Sequence, residues 1–261
     1  MDYRFLSFGI SDIGLTRDGN EDSALISKTH LAVADGMGGH AGGEVASKIA
    51  IEQFSALIPT LSGIKIDSES KSDLFRELVN LIDAEILKIS NDKPELSGMG
   101  TTFTALQLVG SMLELLHIGD SRCYLLRKKK LKQLSYDHTV MQELIEQGRL
   151  TKSEIADHPQ RALLTQALMG NSGIEPVLIS YESKLDDRIL LCTDGLSNLL
   201  SDQEITEILT ENEDADIPNV LVQKTKAKGA PDNVTVIYAR VVEDKAAEKT
   251  EEIKLLGAAS K

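Results

Sequence analysis

Acidic residues recur in this chain where an apolar run breaks against glycine, serine or asparagine. The set is Glu21-Asp22 in RDGNED, Asp35-Gly36 in VADGMGGH, Asp120 in HIGDSR, Asp194-Gly195 in LLCTDG and Asp232-Asn233 in APDNVTV. In LAVAD, LLHIGD and RILLCTD a strand-like run leads straight into the acid, which puts a carboxylate at the end of a rigid element where it can be aimed. One Asp-Gly pair means little, because such pairs make turns. Five such places in one chain are harder to ascribe to turns. Hard cations such as Mg²⁺ and Mn²⁺ take oxygen ligands. Carboxylates crowded without a cation repel one another and take up protons. With two cations roughly 3.5–4 Å apart, such a cluster becomes a clamp for in-line displacement at phosphorus.

The composition is compatible with that chemistry and excludes others. Of 261 residues, 41% are apolar and 26% charged, enough for a sizeable core. The formal net charge of −13 argues against nucleic-acid binding, which draws on Lys and Arg. It would also repel a phosphorylated substrate at long range, so positive charge must be supplied locally by cations or placed basic side chains. Cys123 and Cys192 sit in apolar runs without CxxC spacing, which predicts buried strand thiols in a reducing compartment rather than a zinc site. The opening MDYRFLSFGISD lacks a signal-peptide core, and no apolar run approaches the roughly 18 residues of a membrane span, so the expected location is the cytoplasm. Gly38, Gly39, Gly42 and Gly43 precede no Lys-Ser/Thr pair, which excludes a P-loop.

The elements that must carry these acids follow from periodicity. Residues Tyr3–Asp12, Ser23–Ser27 and His30–Asp35 read as strands, and Ala41–Leu57 and Asp73–Ser90 as helices joined by a polar connector, Pro59–Lys71. Thr101–Leu134 reads as an antiparallel meander of four strands. His138–Gln147 and Thr151–Ala156 return to helix, and Val177–Tyr181 and Asp187–Thr193 are strands. Asp202–Thr210 and Ile217–Lys228 are helices before a closing strand, Asn233–Val242. This order predicts an α+β fold: an antiparallel sandwich of two sheets with a helix pair on each outer face. The expected catalytic domain is residues 1–242, and 243–261 reads as a charged mobile tail or short terminal helix.

Six ordered motifs make the reading specific: Arg17-x-x-Asn20-Glu21-Asp22, Asp35-Gly36-Met37-Gly38-Gly39-His40, Gly100-Thr101-Thr102, Gly119-Asp120-Ser121-Arg122, Asp194-Gly195 and Asp232-Asn233. Together they resemble the PPM (PP2C-type) family of metal-dependent protein serine/threonine phosphatases in its bacterial form, with HPQRALLTQALMG similar to actinobacterial members. The resemblance implies the four-layer αββα fold and hydrolysis of phosphoserine and phosphothreonine monoesters. A water or hydroxide bridging two Mn²⁺ or Mg²⁺ ions would be the attacking group, in a centre open to a third ion. It implies that Asp35 bridges the metals with the Gly36 carbonyl on one, and that Asp194 and Asp232 hold the first. Glu21 and Asp22 act around the second, partly through waters, Asp120 shares a third site with Asp194, and Arg17 binds the substrate phosphate. The guanidinium fork suits two phosphate oxygens in a way lysine does not reproduce.

One departure stands out. Eukaryotic members place a histidine after the Asp-Gly as a candidate general acid, and here the position is Met37, as is usual in the bacterial form. His40 is read as ordering the metal loop, with direct acid catalysis as the alternative. His138 falls in an Asp-His-Thr element read as a helix cap, and His30, His117 and His158 read as ordinary strand or loop residues. Residues 148–171 match the family's variable flap, where substrate choice could lie. Lys128-Lys129-Lys130 reads as a solvated hairpin turn. The partners implied are a Ser/Thr protein kinase and its phosphorylated substrates, with a monomer as the default. The alternative, a pseudophosphatase used as a binding module, would require lost ligands, and every candidate acid is present.

Overall fold

The computed structural model describes residues 3–38, 41–63, 68–151, 163–171, 173–174, 176–244 and 252–261. In chain order it contains β1 (Tyr3–Asp12), β2 (Asp22–Ile26), β3 (His30–Met37), α1 (Gly42–Gly63) and α2 (Ser68–Asp92). Next come β4 (Gly100–Thr101), β5 (Phe103–Val109), β6 (Met112–Ile118), β7 (Arg122–Arg127), β8 (Lys130–Gln133) and α3 (Val140–Glu146). The chain continues through β9 (Val177–Glu182), β10 (Arg188–Cys192), α4 (Asp194–Ser197), α5 (Asp202–Glu211), α6 (Ile217–Ala227), β11 (Val234–Glu243) and β12 (Lys254–Gly257).

Two antiparallel sheets stack face to face. One runs β1-β11-β10-β7-β8, and the other runs β12-β2-β3-β5-β6-β9 with β4 paired to β3. Period-2 alternation sends each strand's residues to two different cores. Leu31 and Val33 of β3, Leu106 and Leu108 of β5, Ile189 and Leu191 of β10, and Ile237 and Ala239 of β11 fill the space between the sheets. Their neighbours point outward. Ala32, Ala34, Phe103 and Ala105 meet Phe54, Ile58, Ile82 and Ile86 from α1 and α2. On the other sheet, Leu190, Cys192, Val236 and Tyr238 meet Ile205, Leu209, Leu221 and Val222 from α5 and α6. Strands covered on both faces read as continuous apolar runs, which is why LAVAD and RILLC look as they do. The fold is the α+β sandwich flanked by helices that the element order predicts.

Two expectations are corrected. The polar connector Pro59–Lys71 is shorter than its composition suggests: α1 runs through Pro59 to Gly63 and α2 begins at Ser68. Buried Ile58 and Leu61 hold that last turn onto the helix-side core, which offsets the backbone bond that proline removes. The charged tail beyond 242 is not tail throughout, because Lys254–Gly257 pairs with β2 along its length. Leu255 packs toward the helices and Leu256 between the sheets, and this burial recruits the segment. The helix expected over Thr151–Ala156 falls, apart from Thr151, outside the described residues.

Strand direction sorts the turns into two ends. The reverse turn at Lys128-Lys129, both with positive φ (51° and 61°), and the turn at Gly110 lie at one end. All the motif acids lie at the other. Among the described residues no helix is long and apolar enough to cross a membrane.

Candidate metal centre and phosphate site

At the motif-bearing end a cavity of about 220 Å³ is lined by Arg17, Glu21, Asp35, Gly36, Met37, Gly38, Thr102, Asp120, Leu164, Asp194 and Asp232. Glu21 and Asp35 come from the sheet that holds β2 and β3. Asp120 follows β6, Asp194 opens α4 directly after β10, and Asp232 precedes β11. Seven of the eight residues singled out from the sequence therefore face one space. Asp22 is the exception: it is 1% exposed and does not line the cavity, but lies buried beside Asp35, its cross-strand partner, accepting a hydrogen bond from Thr193 Oγ1 at 2.9 Å. His40 lies outside the described residues, as do His158 and residues 152–162 of the expected flap.

Backbone contacts fix the acids. The Asp35 N–H donates to Thr102 Oγ1 (2.9 Å), and the Asp35 carbonyl accepts from Thr102 N (2.9 Å) and Thr101 Oγ1 (3.0 Å). Gly100-Thr101-Thr102 thus holds the backbone of the central acid. Asn233 does similar work for the loop before β2. Its side-chain oxygen accepts from Glu21 N (2.8 Å), and its amide donates to the carbonyls of Ile13 and Gly19 (2.9 Å each). Gly36 is required sterically: a Cβ there would lie 2.1 Å from the Gly43 carbonyl oxygen and 2.5 Å from that of Glu21.

His138 grips the turn that carries Asp120. Its Nδ1 accepts from Gly119 N (3.1 Å) while its own N–H donates to the Gly119 carbonyl (2.8 Å). Thr139 caps α3 by accepting from Gln142 N, and Asp137 holds Arg122 in a bidentate pair, the shortest bond being 2.6 Å. The Asp-His-Thr element is therefore a cap and also a clamp on the Asp120 turn. His117 is buried at the end of β6, its Nε2 donating to the Tyr136 carbonyl (2.8 Å), and burial lowers its pKa to about 4. His30 is a buried strand residue with its ring edge against Phe54.

The electrostatics are those of an unneutralised acid cluster. Desolvation, then Asp22, Asp194 and Asp120, hold the Asp35 carboxyl well above the usual range. Desolvation and Asp194 raise Asp120 to about 7. Asp22 also rises to about 7 through desolvation, although hydrogen bonds from Thr235 and Thr193 oppose the shift. Asp194 is raised by desolvation and by Asp232. Arg17 is the cation on the rim, its Nη2 2.8 Å from Asp232 Oδ2 with both side chains part-exposed. Among the described residues, no three His, Cys, Asp or Glu side chains close on one point as a finished ligand set. The acids instead stand round the cavity. Their donor atoms are all oxygen, and burial together with neighbouring carboxylates raises Asp35, Asp120 and Asp194, so the site fits hard divalent cations better than zinc.

A second, larger cavity of about 670 Å³ adjoins the first across Met37 and Leu164, with Leu163, Ala167, Met169 and Ile174 on its walls. Leu168 exchanges two backbone hydrogen bonds with Thr101, each 2.9 Å, which ties this wall to the Asp35 support.

A family model described as Protein phosphatase 2C matches residues 20–229. The serine/threonine protein phosphatase PstP of Mycobacterium tuberculosis is 44% identical over 236 residues, which cover 89% of this chain and 44% of PstP. The chain thus spans under half the length of that relative. Serine/threonine phosphatase stp of Listeria monocytogenes is 33% identical over 236 residues, 87% of this chain and 92% of stp. A crystal structure of PstP superposes with a TM-score of 0.84 at 41% identity, covering 92% of this chain and all of that one. A structure of the PstP catalytic domain in complex with two manganese ions gives 0.83 at 39% identity, with the same coverage.

Proposed function

Because the chain belongs to the protein phosphatase 2C family, we propose that it is a metal-dependent protein serine/threonine phosphatase, with phosphoserine and phosphothreonine proteins as substrates. The observation that carries this reading is the convergence of Glu21, Asp35, Asp120, Asp194, Asp232 and Arg17 on one 220 Å³ cavity. Asp35 and the Gly36 carbonyl would hold two cations between them, with Asp194 and Asp232 on the first and Glu21 on the second. Asp22 would support the second, partly through water, and Asp120 with Asp194 would form a further site. Bound Mn²⁺ or Mg²⁺ supplies positive charge to the phosphoryl oxygens and acidifies an attacking water.

The chain's own residues do the rest. Arg17 exchanges its partner, leaving Asp232 for two oxygens of the incoming phosphate, a planar fork on a tetrahedral anion. Thr101, Thr102 and Asn233 keep the acids aimed, so little reorganisation accompanies the reaction. Met37 and Leu164 form an apolar lip that limits water at the edge of the site. Met37 carries no proton, so the leaving alkoxide is not protonated from that position. Every proposed ligand other than the buried Asp22 lines the cavity, and nothing in the site favours a pseudophosphatase.

On the same reading, residues 1–242 form most of the catalytic domain, with its flap over 148–171 and β12 completing one sheet. The protein then works as a cytoplasmic monomer against a Ser/Thr kinase and its substrates. The test is phosphate release from a phosphothreonine peptide with Mn²⁺, with excess chelator, and with Asp35→Asn. Release that requires both metal and Asp35 is the expected result. Release that survives chelation or the Asp35 substitution at saturating Mn²⁺ refutes the assignment.

A further inference from the structure

We infer that residues 254–261 are a positioning element for the metal centre, clamping the Glu21-Asp22 backbone and the start of α1 into the geometry that cation binding requires. The inference rests on the proposed function of the cavity and adds a part that lies outside residues 20–229.

Strand β12 covers the free edge of β2, with Gly257 opposite Ser23. Gly257 has φ of +66° and lies directly on the Asp22 backbone, so that a Cβ there would sit 2.1 Å from the Asp22 carbonyl oxygen. Beyond it, Ala258 and Ala259 are buried. From Ala259 a buried relay leads to the metal loop. The Ala259 N–H donates to Ser23 Oγ (3.1 Å), Ser23 Oγ and Ser47 Oγ are 2.9 Å apart, and Ser47 Oγ donates to the Glu21 carbonyl at 2.6 Å. Ser47 has one hydroxyl proton and the short bond to Glu21 takes it, so Ser23 donates to Ser47 and accepts from Ala259. Neither serine is exposed to solvent.

The same eight residues hold α1. Lys48 Nζ donates to the Lys261 carbonyl (2.9 Å), and Lys261 Nζ reaches Glu44 at 3.1 Å. These exposed contacts add little by themselves. What they hold in place matters more. A Cβ on Gly43 would meet the Glu21 carboxylate at 2.2 Å and the Gly36 backbone at 2.6 Å, so the first turn of α1 rests on two of the proposed ligands at once. With β12 absent, β2 becomes an open edge and the relay loses its outer donor.

The experiment measures Mn²⁺ binding by calorimetry, and unfolding temperature with Mn²⁺ and with chelator. The proteins are the full chain, Gly257→Ala, Ser23→Ala and a chain ending at Glu252, the last with and without a peptide of residues 253–261. Loss of groups that orient metal ligands costs about 10- to 100-fold in affinity. Each variant is therefore expected to bind Mn²⁺ about tenfold more weakly, with a smaller Mn²⁺-dependent rise in unfolding temperature. The peptide should restore binding to the shortened chain. Equal affinity in folded variants and full chain overturns the inference and leaves the site intact, and equal unfolding losses with metal and chelator mean that the segment only adds stability. If the full chain binds no Mn²⁺, the proposed function falls and the inference with it. Should the shortened chain not fold, the two point variants decide.

Discussion

Asp83→Ala is expected to destabilise the protein by about 3 kcal/mol, although Asp83 touches neither a proposed ligand nor the cavity that holds them. This acid of α2 is 7% exposed, and one of its oxygens accepts from Met169 N (3.0 Å) and Gly170 N (2.7 Å). Hydrogen bonds to a charged acceptor contribute roughly 1.5–3 kcal/mol each, and an orphaned buried donor costs more than an exposed one. Gly170 is buried, has φ of +78°, and lies against Leu87 so closely that a Cβ would meet the Leu87 backbone at 2.8 Å. It has no slack to find another acceptor. Met169 is 37% exposed and water can serve its N–H. One bond at full value and one at partial value give the 3 kcal/mol, or about 6–12 °C in Tm for a chain of this size. Asp83→Asn keeps an oxygen acceptor without the charge and should lose about half as much. Urea unfolding followed by far-UV circular dichroism measures both. An Asp83→Ala chain within about 0.5 kcal/mol of wild type would show that the 168–170 segment is not held from α2.

Arg17→Ala should lower kcat/KM for a phosphothreonine peptide by about 10- to 100-fold, mostly through KM, with Arg17→Lys recovering only part; an unchanged KM removes Arg17 from phosphate binding. In chelator, Asp22 and Asp120 titrate near 7 in the folded chain against about 3.8 unfolded. The folded state then binds more protons between these values, and stability falls as pH rises from about 4 through 7. Loaded with Mn²⁺, which displaces those protons, stability should rise over the same interval, so urea midpoints at pH 5 and 8 that move the same way in both conditions contradict the picture. Gly36→Ala forces backbone apart on two sides and should cost about 1–3 kcal/mol in urea unfolding while weakening Mn²⁺ binding. Cys123 and Cys192 are fully buried, and burial pushes both thiols up, Cys192 to about 12. Ellman-type titration of the native protein should therefore find no reactive thiol until denaturant is added.

Asp35, Asp120 and Asp194 and the elements beneath them were legible because each follows a continuous apolar run, as in LAVAD before Gly36. Their supports were not. Asn233 meets Glu21 from 212 positions further along the chain, and Thr101 meets Asp35 only once β4 and β3 pair, so no local pattern marks either role. Ser47, on the inner face of α1, and Asp83 look like ordinary polar residues of amphipathic helices. Asp22 stays out of the cavity because it is the first residue of β2 and lies buried against Asp35 and Thr193, a tertiary placement that the sequence does not mark. Strand β12 hides in a charged context, its signal being only Leu255-Leu256 before a glycine. The extension of α1 past Pro59 is a case of packing overriding a local breaker.

The position of β11 has a consequence for how the protein is made. Among the described residues, β1 lies at the edge of its sheet with β11 as its one neighbour, Tyr3 opposite Glu243. A chain emerging from the ribosome therefore carries β1 unpaired until Val234–Glu243 has been synthesised. Asp232, just ahead of β11, is also the last acid of the cavity to be delivered. On the proposed function, chains still lacking β11 would be catalytically silent, and activity would switch on only when that strand slides between β1 and β10. Such long-range closure is slow compared with local folding, so the unfinished sheet is the stage at which this protein most depends on being shielded from its neighbours.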